Sequence, residues 1–353
     1  MPLPAVCRRS AGLQIDRNKR KSMTTNSKDD PSRLKGVMTA LVTPFQNGVI
    51  DYDALSTLSE WHIQCGIDAL VPCGTTGEAP TLAWDERLKI IRTCVRTSRG
   101  RVPVIAGTGT NSTELTIAHT SAAQSCGADA ALIVTPYYNK PSQEGIVRHF
   151  EAIAQSTTLP IIVYNVPSRT GVDLTMHTLD RLAQIPSIVG IKDATGEVKR
   201  VEYIRTIFHD RFILLSGHDE TAYAFNLLGG DGMISVIANV LPHVFVALRD
   251  ACKAGDWATA RYIQQRMQPV FKAFDLDTNP CPVKYALKHR RGMSEEVRLP
   301  LVPVSVETAG EIRSALDHLG GPSNHGQTDR ASAIFKPVET TSDAQAAPLV
   351  WRV

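Results

Sequence analysis

Eight short apolar runs, each separated from the next by a stretch with helical spacing, constrain this chain more than any other feature. The runs are Gly36–Val42, Ala69–Pro72, Val102–Ala106, Ala130–Val134, Ile161–Tyr164, Ile188–Lys192, Phe212–Ser216 and Gly232–Val236. Candidate helices fall between them over Asp53–Gln64, Glu86–Thr97, Thr113–Ser125, Gln143–Ser156, Met176–Gln184, Lys199–Phe208 and Thr221–Leu228. Asn111-Ser112, Asp53 and Asp219 offer side-chain oxygens that can cap helix starts. Runs that are apolar throughout, rather than alternating, suit strands covered on both faces. Eight of them alternating with helices predict an α/β fold closed as a parallel (β/α)8 (TIM) barrel. The competing architecture, an open doubly wound sheet, normally has a glycine-rich phosphate loop after its first strand, and Thr43-Pro44-Phe45-Gln46 is not one.

Helical patterns continue past the eighth run, near His243–Ala254, Trp257–Phe274, Cys281–Arg290 and Thr308–Leu319. They are too many for a minimal barrel. The predicted division is therefore a catalytic barrel over residues 34–240 and a C-terminal helical extension over 241–319. Residues 1–33 lack apolar periodicity and read as a disordered extension, or as sequence upstream of a start at Met23. Residues 320–353, opening on Gly320-Gly321-Pro322, read as a flexible tail.

Charge and cysteine usage narrow the function classes. Residues 1–35 carry nine Lys or Arg against three Asp in a chain of net charge +3, so the folded part is weakly acidic. That argues against a nucleic-acid-binding surface on the body of the protein, and no apolar run approaches the length of a membrane span. The seven cysteines are scattered with no C-x-x-C pair, which favours a reducing cytoplasmic setting over a disulfide framework or a zinc knuckle. His62 and Cys65 share a helix face, but without a second pair they read as packing residues, and no metal site is expected.

In a parallel barrel the reactive groups lie at the C-terminal ends of the strands. The second run ends in Cys73-Gly74-Thr75-Thr76-Gly77-Glu78 and the fourth in Thr135-Pro136-Tyr137-Tyr138-Asn139. The fifth ends in Tyr164-Asn165-Val166-Pro167-Ser168-Arg169-Thr170-Gly171, the sixth in Lys192 and the seventh in Ser216-Gly217-His218-Asp219. Hydroxyls, phenols, one guanidinium and one amine would then share one mouth. A strand-end lysine in apolar surroundings can be kept partly neutral by desolvation and attack a carbonyl to form a Schiff base. More commonly such a lysine snorkels to water or pairs with a neighbour, here Asp193. Likewise Gly74–Gly77 could be an ordinary capped turn, the two tyrosines could be interface packing, and Arg169 could hold a loop carboxylate. Their joint placement at strand ends weakens these structural readings.

Four motifs taken in order give a specific likeness. Gly74-Thr75-Thr76-Gly77-Glu78, Thr135–Asn139, Tyr164–Gly171 and Gly190-Ile191-Lys192-Asp193-Ala194-Thr195-Gly196 together resemble the dihydrodipicolinate synthase family. It is part of the pyruvate-dependent class I aldolases that include N-acetylneuraminate lyase. The likeness runs from about Lys35 to about Leu319. It implies condensation of pyruvate with L-aspartate 4-semialdehyde in lysine (diaminopimelate) biosynthesis, through a covalent imine and with no separate cofactor. By this resemblance Lys192 is the imine-forming residue and Tyr164 the proton donor and acceptor. Thr75 and Tyr138 are its relay partners, Tyr138 reaching across from a neighbouring subunit of a homotetramer. Thr76 would hold the pyruvate carboxylate and Arg169 that of the aldehyde substrate, while Gly217 and Ile234 line the pyruvate pocket. Asn111 and Tyr137 match positions of a lysine effector site at a subunit interface, from which Ala79, Trp84, Arg87 and Leu115 depart, leucine standing where a glutamate is usual.

Two other functions stay open at this point. One is an aldolase or dehydratase for a sugar acid on the same scaffold, which Arg169 disfavours because sialic-acid lyases carry an apolar residue there. The other is a non-catalytic metabolite-binding paralogue, which would be expected to have lost Lys192 or Tyr164.

Overall fold

The computed structural model describes residues 30–319, so the expectations for residues 1–29 and 320–353 lie outside the described residues. Residues 31–33, placed above in a structureless extension, correct that boundary. Pro31–Leu34 forms a 3-10 turn that buries Leu34, an apolar side chain with more to gain from the core than from water.

Strand β1 (Gly36–Ala40) is followed by a small hairpin of β2 (Phe45–Gln46) and β3 (Val49–Ile50), helix α1 (Tyr52–Gln64), β4 (Ala69–Val71) and α2 (Trp84–Ser98). Next come β5 (Ile105–Gly107), α3 (Thr113–Ser125), β6 (Ala130–Val134), α4 (Gln143–Ser156), β7 (Ile161–Asn165), the single turn α5 (Pro167–Thr170) and α6 (Met176–Ala183). The barrel ends with β8 (Ile188–Asp193), α7 (Lys199–Phe208), β9 (Ile213–Ser216), α8 (Ala222–Leu227) and β10 (Gly232–Ser235). Five helices follow: α9 (Pro242–Lys253), α10 (Trp257–Arg266), α11 (Gln268–Phe274), α12 (Cys281–Arg291) and α13 (Val306–His318).

The sheet order is β4-β1-β10-β9-β8-β7-β6-β5, every pairing parallel. A parallel bridge between Leu70 and Val104 joins its two ends and closes the barrel. The third strand starts at Ile105 rather than Val102, because Pro103 has no N–H to give a ladder and contributes only its carbonyl, to Leu70 N at 3.0 Å. Trp257–Phe274 is two helices rather than one. Pro269 cannot supply the N–H that would carry α10 through, so the chain restarts as α11 after Met267.

Strand side chains alternate between two cores, as a two-residue repeat requires. On β7, Ile162 and Tyr164 join Met38, Leu132, Ile213, Leu215 and Ile234 inside the barrel, whereas Ile161 and Val163 pack outward with Ile146, Phe150 and Leu179 of the helix layer. Ser112 caps α3 by accepting from Leu115 N. His62 is buried with Nε2 3.2 Å from the carbonyl of Asn239, and burial pushes its imidazole down to about 4, which makes it a neutral packing histidine. Among the described residues no group of three or more His, Cys, Asp or Glu side chains comes together as a metal site needs, and no helix is long and apolar enough to cross a membrane.

Candidate active site

Strand β8 delivers Lys192 to the barrel interior, and the two-residue repeat sends the next residue the other way. Asp193 accepts from Arg200 Nε at 3.0 Å, from Thr195 N at 2.9 Å and from Asn165 Nδ2 at 3.4 Å. It is occupied by outward partners and does not pair with Lys192. In register, Lys192 lies opposite Tyr164 on β7 and Leu215 on β9. Lys192 is 5% exposed and forms no ion pair among the described residues, and its amine sits 4.1 Å from the centre of the Tyr164 ring. Both groups are therefore held on rigid strands and out of bulk water, the arrangement a nucleophile and its proton carrier need.

Gly217 makes the space for the lysine. A Cβ built there would lie 2.9 Å from Lys192 Cε and 2.8 Å from Ala194 Cβ, too close for any other residue without movement. Its N–H is fixed by the carbonyl of Asp193 at 2.6 Å. Ile234 is buried on β10 within the same interior layer as Tyr164.

A cavity of about 220 Å³ opens beside Tyr164, and Thr75, Arg87, Tyr137 and Arg169 also line it. Thr75 belongs to the turn after β4, and Arg169 to α5, where the guanidinium makes no hydrogen bond or ion pair among the described residues. An unpaired fork of donors on a cavity wall is suited to a ligand carboxylate. Thr76 is not among the residues lining this cavity; it is buried and accepts at its hydroxyl from Asn279 Nδ2 at 3.1 Å. Gly217 and Asn279 share the wall of a second, smaller cavity of about 130 Å³ with His218 and Asp219, whose carboxyl burial pushes up. Cys73, at the foot of the turn, is no competing nucleophile, since burial pushes its thiol far up.

The structure does not bring every expected residue together. Tyr138 is 89% exposed, lines neither cavity, and has φ of 71°, an uncommon backbone for tyrosine. Asn111 contributes its carbonyl, which takes Asn139 Nδ2 at 2.8 Å and ties the loop after β5 to the one after β6. Arg87 points inward, its NH2 donating to the Ala79 carbonyl and its NH1 3.2 Å from His119 Nδ1; burial pushes the guanidinium down. Sequence reasoning missed Asn279, Lys284 and Arg298. All three lie beyond the barrel and reach back to the Gly74–Glu78 turn.

Fold and site together define a (β/α)8 lyase with a buried lysine set against a tyrosine ring at the C-terminal ends of neighbouring strands. The chain belongs to the dihydrodipicolinate synthetase family, whose model matches residues 33–319. It is 49% identical over 287 residues to the 4-hydroxy-tetrahydrodipicolinate synthase of Roseobacter denitrificans, covering 81% of this chain and 99% of that one. Among solved structures, a monomeric dihydrodipicolinate synthase variant is 39% identical with a TM-score of 0.80, over 82% of this chain and 98% of its own. The chloride-inhibited dihydrodipicolinate synthase of Acinetobacter baumannii, complexed with pyruvate, is 44% identical with a TM-score of 0.78, over 80% and 98%. This chain is an enzyme of that family.

Proposed function

We propose that this enzyme condenses pyruvate with L-aspartate 4-semialdehyde, through an imine on Lys192. The observation that carries the reading is the buried Lys192 amine set against the Tyr164 ring with no carboxylate beside it. The amine attacks the ketone carbon of pyruvate, and loss of water gives the imine. Loss of a methyl proton then gives an enamine, whose carbon attacks the aldehyde. Tyr164 moves the protons in these steps, and because an isolated phenol is a weak base it needs a relay. Thr75 supplies one member, and Tyr138 of a second copy supplies the other, which agrees with its exposure in the single chain. Thr76 donates to the pyruvate carboxylate, Arg169 grips that of the aldehyde, and Gly217 and Ile234 shape the pocket. The chemistry proceeds on the covalent imine without a bound cofactor, in a cytoplasmic homotetramer.

Borohydride reduction in the presence of pyruvate tests this. It should add a pyruvate-derived mass to the peptide carrying Lys192; an adduct on another lysine, or none, removes the mechanism. Turnover with aspartate semialdehyde but not with neutral sugar aldehydes separates the proposal from a sugar-acid aldolase on the same scaffold.

A further inference from the structure

The turn that carries Thr75 and Thr76 is bounded by two non-glycine residues in the left-handed region, Cys73 with φ of 58° and Glu78 with φ of 55°. Such backbone persists only where the surroundings over-determine it. Here part of that restraint comes from the helical segment after the barrel. Glu78 and Lys284 are both buried, with Nζ 2.5 Å from Oε1, and Nζ also donates to the Glu296 carbonyl at 2.7 Å. The other carboxylate oxygen of Glu78 accepts from Arg298 N at 2.9 Å. From within the barrel, Thr43 Oγ1 donates to the Gly77 carbonyl at 2.7 Å.

The same segment touches the substrate-binding hydroxyl itself. Thr76 Oγ1 has one hydrogen to give and accepts from Asn279 Nδ2 at 3.1 Å. With a lone pair engaged by Asn279, the hydroxyl hydrogen is turned away from the amide and left for another acceptor.

We infer that Asn279 is a positioning residue for pyruvate: it sets the Thr76 hydroxyl as a donor to the pyruvate carboxylate, and the Lys284–Glu78 pair holds Asn279's segment against the turn. The inference rests on the role given to Thr76 above. It assigns the helical extension a part in substrate binding that lies in the segment rather than in the barrel strands.

The test is the pyruvate concentration dependence of borohydride trapping at Lys192, measured on the full chain for Asn279→Ala, Asn279→Asp, Thr76→Val and the double variants. Asn279→Ala should raise the half-saturating pyruvate concentration about tenfold, the upper range for losing one neutral hydrogen bond, with the limiting trapping rate little changed. Asn279→Asp should be worse than Asn279→Ala although it keeps the shape, because a carboxylate accepts the Thr76 proton and repels the substrate. A residue needed only for packing would give the opposite order. In the Thr76→Val background Asn279→Ala should add at most twofold, whereas Asn279→Asp keeps its repulsion of the substrate. Thermal unfolding is followed for every variant, and Asn279→Ser replaces Asn279→Ala if the latter does not fold. If Thr76→Val weakens pyruvate binding but Asn279→Ala does not, or if the effects of these two changes multiply, the inference falls. If Thr76→Val leaves pyruvate binding unchanged, the role of Thr76 itself is wrong, and this inference falls with it.

Discussion

Lys192 and Lys284 are both buried, 5% and 1% exposed, and both lie against an aromatic ring, at 4.1 Å from Tyr164 and 4.2 Å from Phe45. They differ in what else they meet. Lys284, on α12, has the Glu78 carboxylate 2.5 Å away and a carbonyl at 2.7 Å, which partly offset the burial of its charge and hold the side chain in place. Lys192, on β8, has its neighbouring carboxylate turned outward to Arg200. An ammonium locked in an ion pair is tied down by its partners, whereas a lysine with no carboxylate partner is free to meet a bound carbonyl compound. On the proposed function, the missing carboxylate rather than burial alone distinguishes the imine-forming lysine.

The largest effect should follow from exchanging the reactive member. Lys192→Arg keeps a cation in the barrel but cannot form an imine, so activity should fall roughly 10⁴-fold or more and borohydride trapping should vanish. Lys284→Arg should leave the trapped mass on Lys192. A pyruvate adduct at residue 284 in the unaltered enzyme would break the comparison outright.

Next in size is Glu78→Gln, which removes the counter-charge and leaves Lys284 buried. Stripping one partner from a buried pair costs about 3–5 kcal/mol, read by denaturant unfolding near neutral pH. Burial already pushes Lys284 down from its ordinary value. Without Glu78 the folded variant holds Lys284 neutral while the unfolded chain still binds the proton. The unfolded state then carries more protons from the depressed folded value up to about 10.4, so the variant's stability should rise with pH across that window. A penalty independent of pH would mean that Lys284 keeps its charge through its backbone partner.

Gly217→Ala probes the Lys192 side only. The added methyl meets Lys192 Cε at 2.9 Å and Ala194 Cβ at 2.8 Å, so overpacking should cost about 1–3 kcal/mol. Because Lys192 Cε is the movable neighbour, trapping should slow about tenfold. Unchanged trapping would show that the lysine has more room than this close approach indicates.

How far these two lysines could be told apart from the sequence follows from where their partners lie. Lys192 was legible because its strand, its turn and Tyr164 sit in contiguous motifs, and in a barrel adjacent runs become adjacent strands. The helices Thr113–Ser125 and Gln143–Ser156 were legible to the residue; Ser112 marks the first start in the sequence, and in the structure Ser142 caps the second. Lys284 was not legible. It looks like one cation in an ordinary amphipathic helix, although it falls between the buried Cys281 and Leu287 on the apolar side of α12. The Thr76–Asn279 contact spans 203 residues, which no local pattern encodes. The hairpin at Phe45–Ile50 was missed despite its Asn47-Gly48 turn, a strong hairpin signal, because each strand is only two residues long.

The smallest effect expected is that of added L-lysine, and it extends the comparison to a third cation, the half-buried Arg87. Arg87 sits on the wall of the Tyr164 cavity beside Tyr137, and like Lys192 it has no carboxylate partner among the described residues. Trp84 stacks on His119 at 4.1 Å, so this corner is lined by aromatic and cationic groups. The family resemblance implies a lysine effector site at Asn111 and Tyr137 with a glutamate expected where Leu115 stands, and Leu115 is 52% exposed. An ammonium leaving water needs an anionic partner, and Arg87 repels it instead. Initial rates at fixed pyruvate should therefore fall by less than about twofold at about 1 mM L-lysine. Leu115→Glu combined with Arg87→His should restore sensitivity by supplying the carboxylate and reducing the opposing charge. Half-inhibition well below millimolar in the unaltered enzyme would mean that a carboxylate from another copy of the chain already compensates Arg87, making it a paired cation like Lys284 rather than an open one like Lys192.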